Sequence, residues 1–77
     1  MSDAYRAGKY HAETDQPSNL AFYPRFTFAY HDYLEGQSAG FNEQYWYHVK
    51  CSKNAAKAAR YLAERERVKQ MQADARR

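Results

Sequence analysis

The side chains with chemical potential are few and lie near the middle of the chain. His48 and Cys51 are three residues apart, which places an imidazole and a thiol on one face of a helix. His31 and Asp32 could supply further ligands by type. Zinc sites usually take four donors in paired short spacings. Only one such pair is present, so the expectation is no metal, with a polar histidine beside a small buried thiol. Cys51 with His48 or His31 also has the residue types of a nucleophile and its base. A 77-residue chain has little room for the water-excluding pocket that such chemistry needs. No glycine-rich phosphate loop is present, and Asp32 with Glu35 suits a solvated helix edge. The expectation is a protein that is not an enzyme, with no catalytic residue, no cofactor and no small-molecule substrate.

Two other residue classes carry more signal. Residues 50–77 hold nine bases and three acids, whereas residues 1–49 hold three bases and six acids, so a +6 tail follows a −3 front. Lys50, Lys53, Lys57 and Arg60 recur at i, i+3, i+7 and i+10 with no acid between them. On one helix they form a stripe that could follow phosphates or simply stay solvated. Beyond it, Glu64–Arg67 and Glu66–Lys69 are the i, i+3 pairs of an exposed helix. Aromatics divide the opposite way: twelve of thirteen precede residue 50, and eight of the thirteen are tyrosines. Tyrosine combines contact area with a hydroxyl that tolerates water, which suits interfaces. Core filling must use some of these rings, and Phe22, Phe26, Phe28 and Trp46 compete for the same space. Tyr30, Tyr33, Tyr45, Trp46 and Tyr47 are the candidate protein-binding residues.

Helices must position these groups. Ser2 or Asp3 can cap a first helix over residues 3–14, with Ala4, Ala7 and His11, or Met1, Tyr5, Gly8 and Ala12, turned inward. Asp15 to Asn19 reads as a loop around Pro17. Pro24 suits the first turn of a second helix carrying Phe26, Tyr30, Tyr33 and Leu34, with Gly36 or Gly40 to close it. Asn42 can cap a third element, in which Tyr45, Val49, Ser52, Ala56, Ala59 and Ala63 step by four and three. Tyr61, Val68, Met71 and Ala75 continue an apolar line on a shifted face. One helix over residues 43–72 would be about 45 Å long at 1.5 Å per residue. Its distal part, residues 64–77, would then project or fray, and Val49, Ala56, Ala59 and Ala63 would meet a second copy. Alternation in residues 25–33 and 44–51 keeps an α+β arrangement open, with a short hairpin before a helix that Ser52 or Asn54 would cap. The expected fold is a single all-α domain: two short helices packed on one long C-terminal helix.

A domain of this size buries only about 60% of its unfolded surface, and association is a common remedy. One cysteine allows no internal disulfide, and the acidic start Met1-Ser2-Asp3 is unlike a secretion signal. No apolar run spans a bilayer, so a cytoplasmic protein with no membrane partner is expected. Small size and the lack of enzymatic motifs are in keeping with a phage accessory protein.

The front half resembles ribosome modulation factor, a family of short basic bacterial proteins that bind ribosomes and idle them. Tyr5-Arg6-Ala7-Gly8 carries the likeness at the start of a small helix. After a proline-bearing loop, Tyr30-His31-Asp32-Tyr33-Leu34-Glu35-Gly36 carries it as an aromatic helix ending in glycine. The family has a similar Tyr-x-Ala-Gly, a Pro-Tyr turn and a tryptophan-rich helix with glycines. This chain has Tyr23-Pro24 in the reverse order, no tryptophan in that helix, an acidic front half and no counterpart from Phe41 onward. The resemblance implies a helical binder with a ribosomal or RNA target and transfers no site residue.

Together these features predict a small regulatory adaptor or inhibitor that acts by protein–protein contact as a homodimer. The alternative is an RNA- or ribosome-binding modulator that uses Lys50, Lys53, Lys57 and Arg60.

Overall fold

Each helix begins at a side-chain cap. Ser2 Oγ accepts the Tyr5 N–H at 3.2 Å and starts α1 (Asp3–Glu13). Thr27 Oγ1 accepts the Tyr30 N–H at 3.2 Å and starts α2 (Phe28–Lys50). Asn54 Oδ1 accepts the Lys57 N–H at 3.0 Å and starts α3 (Ala55–Ala75). These bonds satisfy N–H groups that have no partner inside the helix. The structure, a computed structural model, describes residues 2–17 and 22–75. Ser18 and Asn19 of the expected loop, Met1, Arg76 and Arg77 lie outside the described residues.

The all-α, three-helix class is the one the chain adopts, and among the described residues there is no strand. The boundaries differ from those expected. Pro24 stands before α2 rather than in its first turn; its carbonyl accepts the Thr27 hydroxyl at 2.7 Å, which orients the cap. Gly36 and Gly40 do not close α2, and Asn42 does not open a third helix, because α2 continues through all three. The single helix over residues 43–72 is interrupted instead. Lys53 takes a left-handed backbone (φ 50°), and the Asn54 N–H turns back to the His48 carbonyl at 2.9 Å. Ser52–Asn54 therefore form an elbow, and Asn54 is the cap that the alternative reading named.

Packing explains why α2 tolerates two glycines. α1 buries Ala4, Gly8 and Ala12, one small residue per turn. α2 meets this row with Gly36 and Gly40. A Cβ on Gly8 would overlap the Tyr33 carbonyl and lie 3.0 Å from the Gln37 nitrogen. A Cβ on Gly36 would overlap the Tyr5 carbonyl and lie 2.9 Å from the Lys9 nitrogen. Backbone thus rests on backbone, an approach that only residues without a side chain permit. The helix-propensity loss at three glycines, about 1 kcal/mol each, is accepted for this contact.

α3 folds back along α2 as an αα-hairpin. Phe41 and His48 of α2 both face Tyr61, the latter stacked with ring planes 2° apart, and Arg65 donates to Asn42 Oδ1 at 2.7 Å. The core gathers Ala12, Tyr30, Leu34, Phe41, Tyr61, Val68 and Ala75. Ala58, Tyr61, Val68 and Ala75 are the buried face of α3, so the shifted apolar line is the one that packs. Residues 64–75 do not project, since Val68 and Ala75 are buried along α2. Phe26, placed by periodicity inside the second helix, lies before it with a left-handed backbone (φ 67°) and an exposed ring.

Gly36→Ala is expected to destabilise the fold by about 2–3 kcal/mol through overpacking, against the direction of helix propensity. Urea unfolding followed by circular dichroism checks this; an unchanged midpoint would mean that α1 can move away freely. Asn54→Ala is expected to lose about 1 kcal/mol in the same assay by removing the α3 cap.

Candidate functional site

The hairpin of α2 and α3 has two faces, and α1 covers only one. On the other, near the elbow, Tyr45, Val49, Ala55, Ala58, Ala59 and Leu62 line a largely apolar cleft of about 420 Å³. Lys53 and His48 complete its wall. His48 is buried, its ring against Tyr61 and its Nδ1 sharing a hydrogen bond with Ser52 Oγ. The Ser52 side chain at the elbow is thereby tied to the core.

The expected protein-binding residues separate into two groups. Tyr30 and Tyr33 are core residues, the latter 0% exposed, and are not available to a partner. Their rings fill the space between α2 and its neighbours, as the short side chains of α1 require. Tyr33 also shares a 2.8 Å hydrogen bond between its hydroxyl and His11 Nδ1. Tyr45 is half-buried, with the Arg65 guanidinium 5.3 Å from its ring centre. Trp46 and Tyr47 are exposed at 45% and 53%. Trp46 stands edge-on to Tyr45 and beneath Lys50; Tyr47 stands edge-on to His48.

Val49, Ala56, Ala59 and Ala63, expected to meet a second copy, all lie at the surface. Val49 and Ala59 border the cleft directly. The expected stripe is split by the elbow: Tyr45 and Val49 belong to α2, and Ala56, Ala59 and Ala63 lie on the outer face of α3, not its packed one. Both stripes have helical spacing, and only the larger side chains Tyr61 and Val68 mark the one that enters the core.

The basic stripe is not continuous. Lys50 ends α2, Lys53 sits in the elbow, and Lys57 and Arg60 belong to α3. Lys50 covers Trp46 at 5.1 Å, and Arg60 is paired with Asp15 from the turn after α1. Among the described residues Lys53 and Lys57 form no ion pair. Cys51 is exposed, and among the described residues no three His, Cys, Asp or Glu side chains gather as metal ligands would.

Sequence reasoning missed two features. Phe22, Phe26 and Phe28 were candidates for the core but are exposed, Phe28 at 91%, on the segment leading into α2. Their clustering within seven residues beside Pro24 was the available signal. Gln37 is buried, and nothing in its sequence context marked it.

Among the described residues no helix is long and apolar enough to cross a membrane. Comparison with known proteins returns no matching family model, no matching curated protein and no matching solved structure.

One charged cluster crosses the α1–α2 seam. Lys9 lies 3.3 Å from Glu43 and 3.8 Å from Glu13. The hydrogen bond and charge of Glu43 raise the Lys9 pKa above its ordinary value. Glu13 and Glu43 also face each other across the seam. Their hydrogen bond raises Glu13 above the usual carboxylate value and lowers Glu43 below it. Glu43 therefore adds stability above the carboxylate range and loses it on acidification. Glu13 adds stability in acid and loses it as pH rises through its raised value. Glu13→Gln is expected to raise the urea midpoint slightly at neutral pH and to leave it unchanged in acid below the carboxylate range. A lower midpoint at neutral pH would show instead that the Lys9–Glu13 attraction dominates.

Proposed function

We propose that this chain is a small non-enzymatic adaptor or inhibitor that acts by protein–protein contact and pairs with a second copy of itself through the elbow face. The observation that carries this reading is the apolar cleft at the elbow end of the hairpin, lined by Tyr45, Val49, Ala59 and Leu62, with the exposed Trp46 ring edge-on to Tyr45 beside it. Exposed apolar surface of this kind, rimmed by polar groups, marks interaction sites in small proteins. The neighbouring Ala56, Ala59 and Ala63 are short, so a helix of another molecule can approach α3 closely. The face presents the same residues on both copies, which suits an isologous two-fold contact.

A second surface supports the adaptor role. Phe22, Phe26 and Phe28 stand at the opposite end of α2 from Val49, about 30 Å away at 1.5 Å per residue. A pair joined at the elbow would present two such aromatic segments outward. Regulation by occupying a partner needs no chemistry beyond this, and a cytoplasmic setting agrees with the single cysteine.

The RNA- or ribosome-binding reading keeps one observation in its favour: Lys53 and Lys57 are exposed and form no ion pair among the described residues. The likeness of Tyr5-Arg6-Ala7-Gly8 to ribosome modulation factor points the same way. The interrupted stripe and the Arg60–Asp15 pair reduce the number of cations that could follow a phosphate backbone.

Light scattering across the micromolar range tests the leading reading. The wild type is expected to form a dimer, and Ala59→Glu with Ala63→Glu, both exposed positions, is expected to give a monomer with an unchanged circular dichroism spectrum. A monomeric wild type throughout that range overturns the pairing. If Lys53→Gln with Lys57→Gln abolishes retention of RNA from lysate while the elbow variant retains it, the second reading replaces the first.

A further inference from the structure

The outward face of α3 is uncharged along its middle and has one charge at each end. Ala56, Ala59 and Ala63 are exposed there, and Ala55, Ala59 and Leu62 line the elbow cleft beside them. Lys53 stands at one end of this surface, on the wall of the cleft. Glu66 stands at the other end, exposed, four residues beyond Leu62 and seven beyond Ala59, and so on the same stripe of the helix. Lys57, Arg60, Glu64 and Arg67 follow a different stripe, and the last three border a separate cavity on the α1 side.

Both end charges have capacity for a further contact. Lys53 forms no ion pair among the described residues. Glu66 meets Arg65 at 3.1 Å and Lys69 at 3.8 Å, both on its own helix. These contacts all fall on Oε1, which leaves Oε2 for another donor.

Two-fold symmetry turns this pattern into a choice of orientation. Ala56 and Ala63 are equally far from the middle of the stripe, between Ala59 and Arg60, and so are Lys53 and Glu66. If two α3 helices pair antiparallel about that point, alanine meets alanine and each Lys53 meets the Glu66 of the other copy. If they pair parallel, Lys53 meets Lys53 and Glu66 meets Glu66. Like charges brought together at an interface are costly, whereas complementary ones fix the register. The short side chains between them allow the approach that brings both ends within reach.

We infer that the second copy lies antiparallel along α3, held at each end by an ion pair between Lys53 of one copy and Glu66 of the other. This inference rests on the pairing proposed above and names its orientation and register.

Analytical ultracentrifugation of the full chain reads the affinity. Lys53→Glu and Glu66→Lys each turn two attractive contacts into two repulsive ones, and each should weaken pairing by about tenfold or more. The double variant, Lys53→Glu with Glu66→Lys, exchanges the charges and should return to the wild-type affinity, with the circular dichroism spectrum unchanged throughout. A parallel pair would be indifferent to each single exchange, because like charges remain like. A second measurement uses the chain as it stands. Cys51 is exposed and is the single cysteine, so it takes one spin label per copy. In the antiparallel pair the two labels are expected to lie about 25 Å apart along the axis at 1.5 Å per residue; a parallel pair sets them side by side. A wild-type dimer whose single variants pair as tightly as it does, or whose labels lie side by side, overturns the antiparallel arrangement and leaves the pairing intact. A wild type that stays monomeric across the micromolar range overturns the pairing and this inference with it.

Discussion

Contact between the backbones of α1 and α2 at Gly8 and Gly36 sets the geometry of everything else. Where two helices meet through large side chains, their axes stand about 8–10 Å apart, and the distance adjusts to whatever residues fill the seam. Here the Tyr5 and Tyr33 carbonyls lie where side chains would otherwise stand, so no such adjustment is available. α1 is therefore pressed flat against α2 although it has only eleven residues and buries nothing larger than alanine. The Tyr30 ring joins the core, and the buried Tyr33 ring lies beside His11 of α1, to which its hydroxyl is hydrogen-bonded. Lys9 can then reach from α1 to Glu43 on α2. The tight seam also buries Gln37, whose amide oxygen is unpaired among the described residues.

The hairpin of α2 and α3 follows a different rule. Its contact is made by large side chains, with His48 stacked on Tyr61 and Phe41 tilted against the same ring at one end, and Leu34 and Val68 further along. Such packing holds two faces apart and leaves each with its own character. The face toward α1 is polar, bordered by the Arg60–Asp15 and Arg67–Glu64 pairs. The face away from α1 is apolar near the elbow and carries Trp46 and Val49 at its rim. A three-helix chain can cover only one side of its central hairpin. That shortage of covering surface is general to domains of this size, and it is the physical basis of the proposal that the elbow face meets a partner.

Much of the fold was legible from residue types. Ser2 before an acidic first turn, a proline-marked loop and an alanine-rich C-terminal run led to three helices, and within the two stretches that alternation left open residues 28–33 and 44–50 are helical, not strand. The helix ends were less legible. Asn42 and Asn54 are both acceptable caps, and the choice depends on what each meets. Asn42 accepts from Arg65 on α3, whereas Asn54 stands at a bend that reverses the chain. Gly36 and Gly40 have the look of helix ends when α1 is not in view.

What the sequence determined by itself was local: the cap at the start of the first helix, the helical periodicity, and the division between an aromatic front and a basic tail. Those properties depend on neighbours within a few turns. Only the tertiary structure decided which of two apolar stripes on α3 faces the core, that Tyr30 and Tyr33 are interior while Phe26 and Phe28 are not, and that Gln37 is buried. Each of these depends on how closely two helices approach, and that distance is set by residues far apart in the chain, with Gly8 resting against Tyr33 and Gly36 against Tyr5.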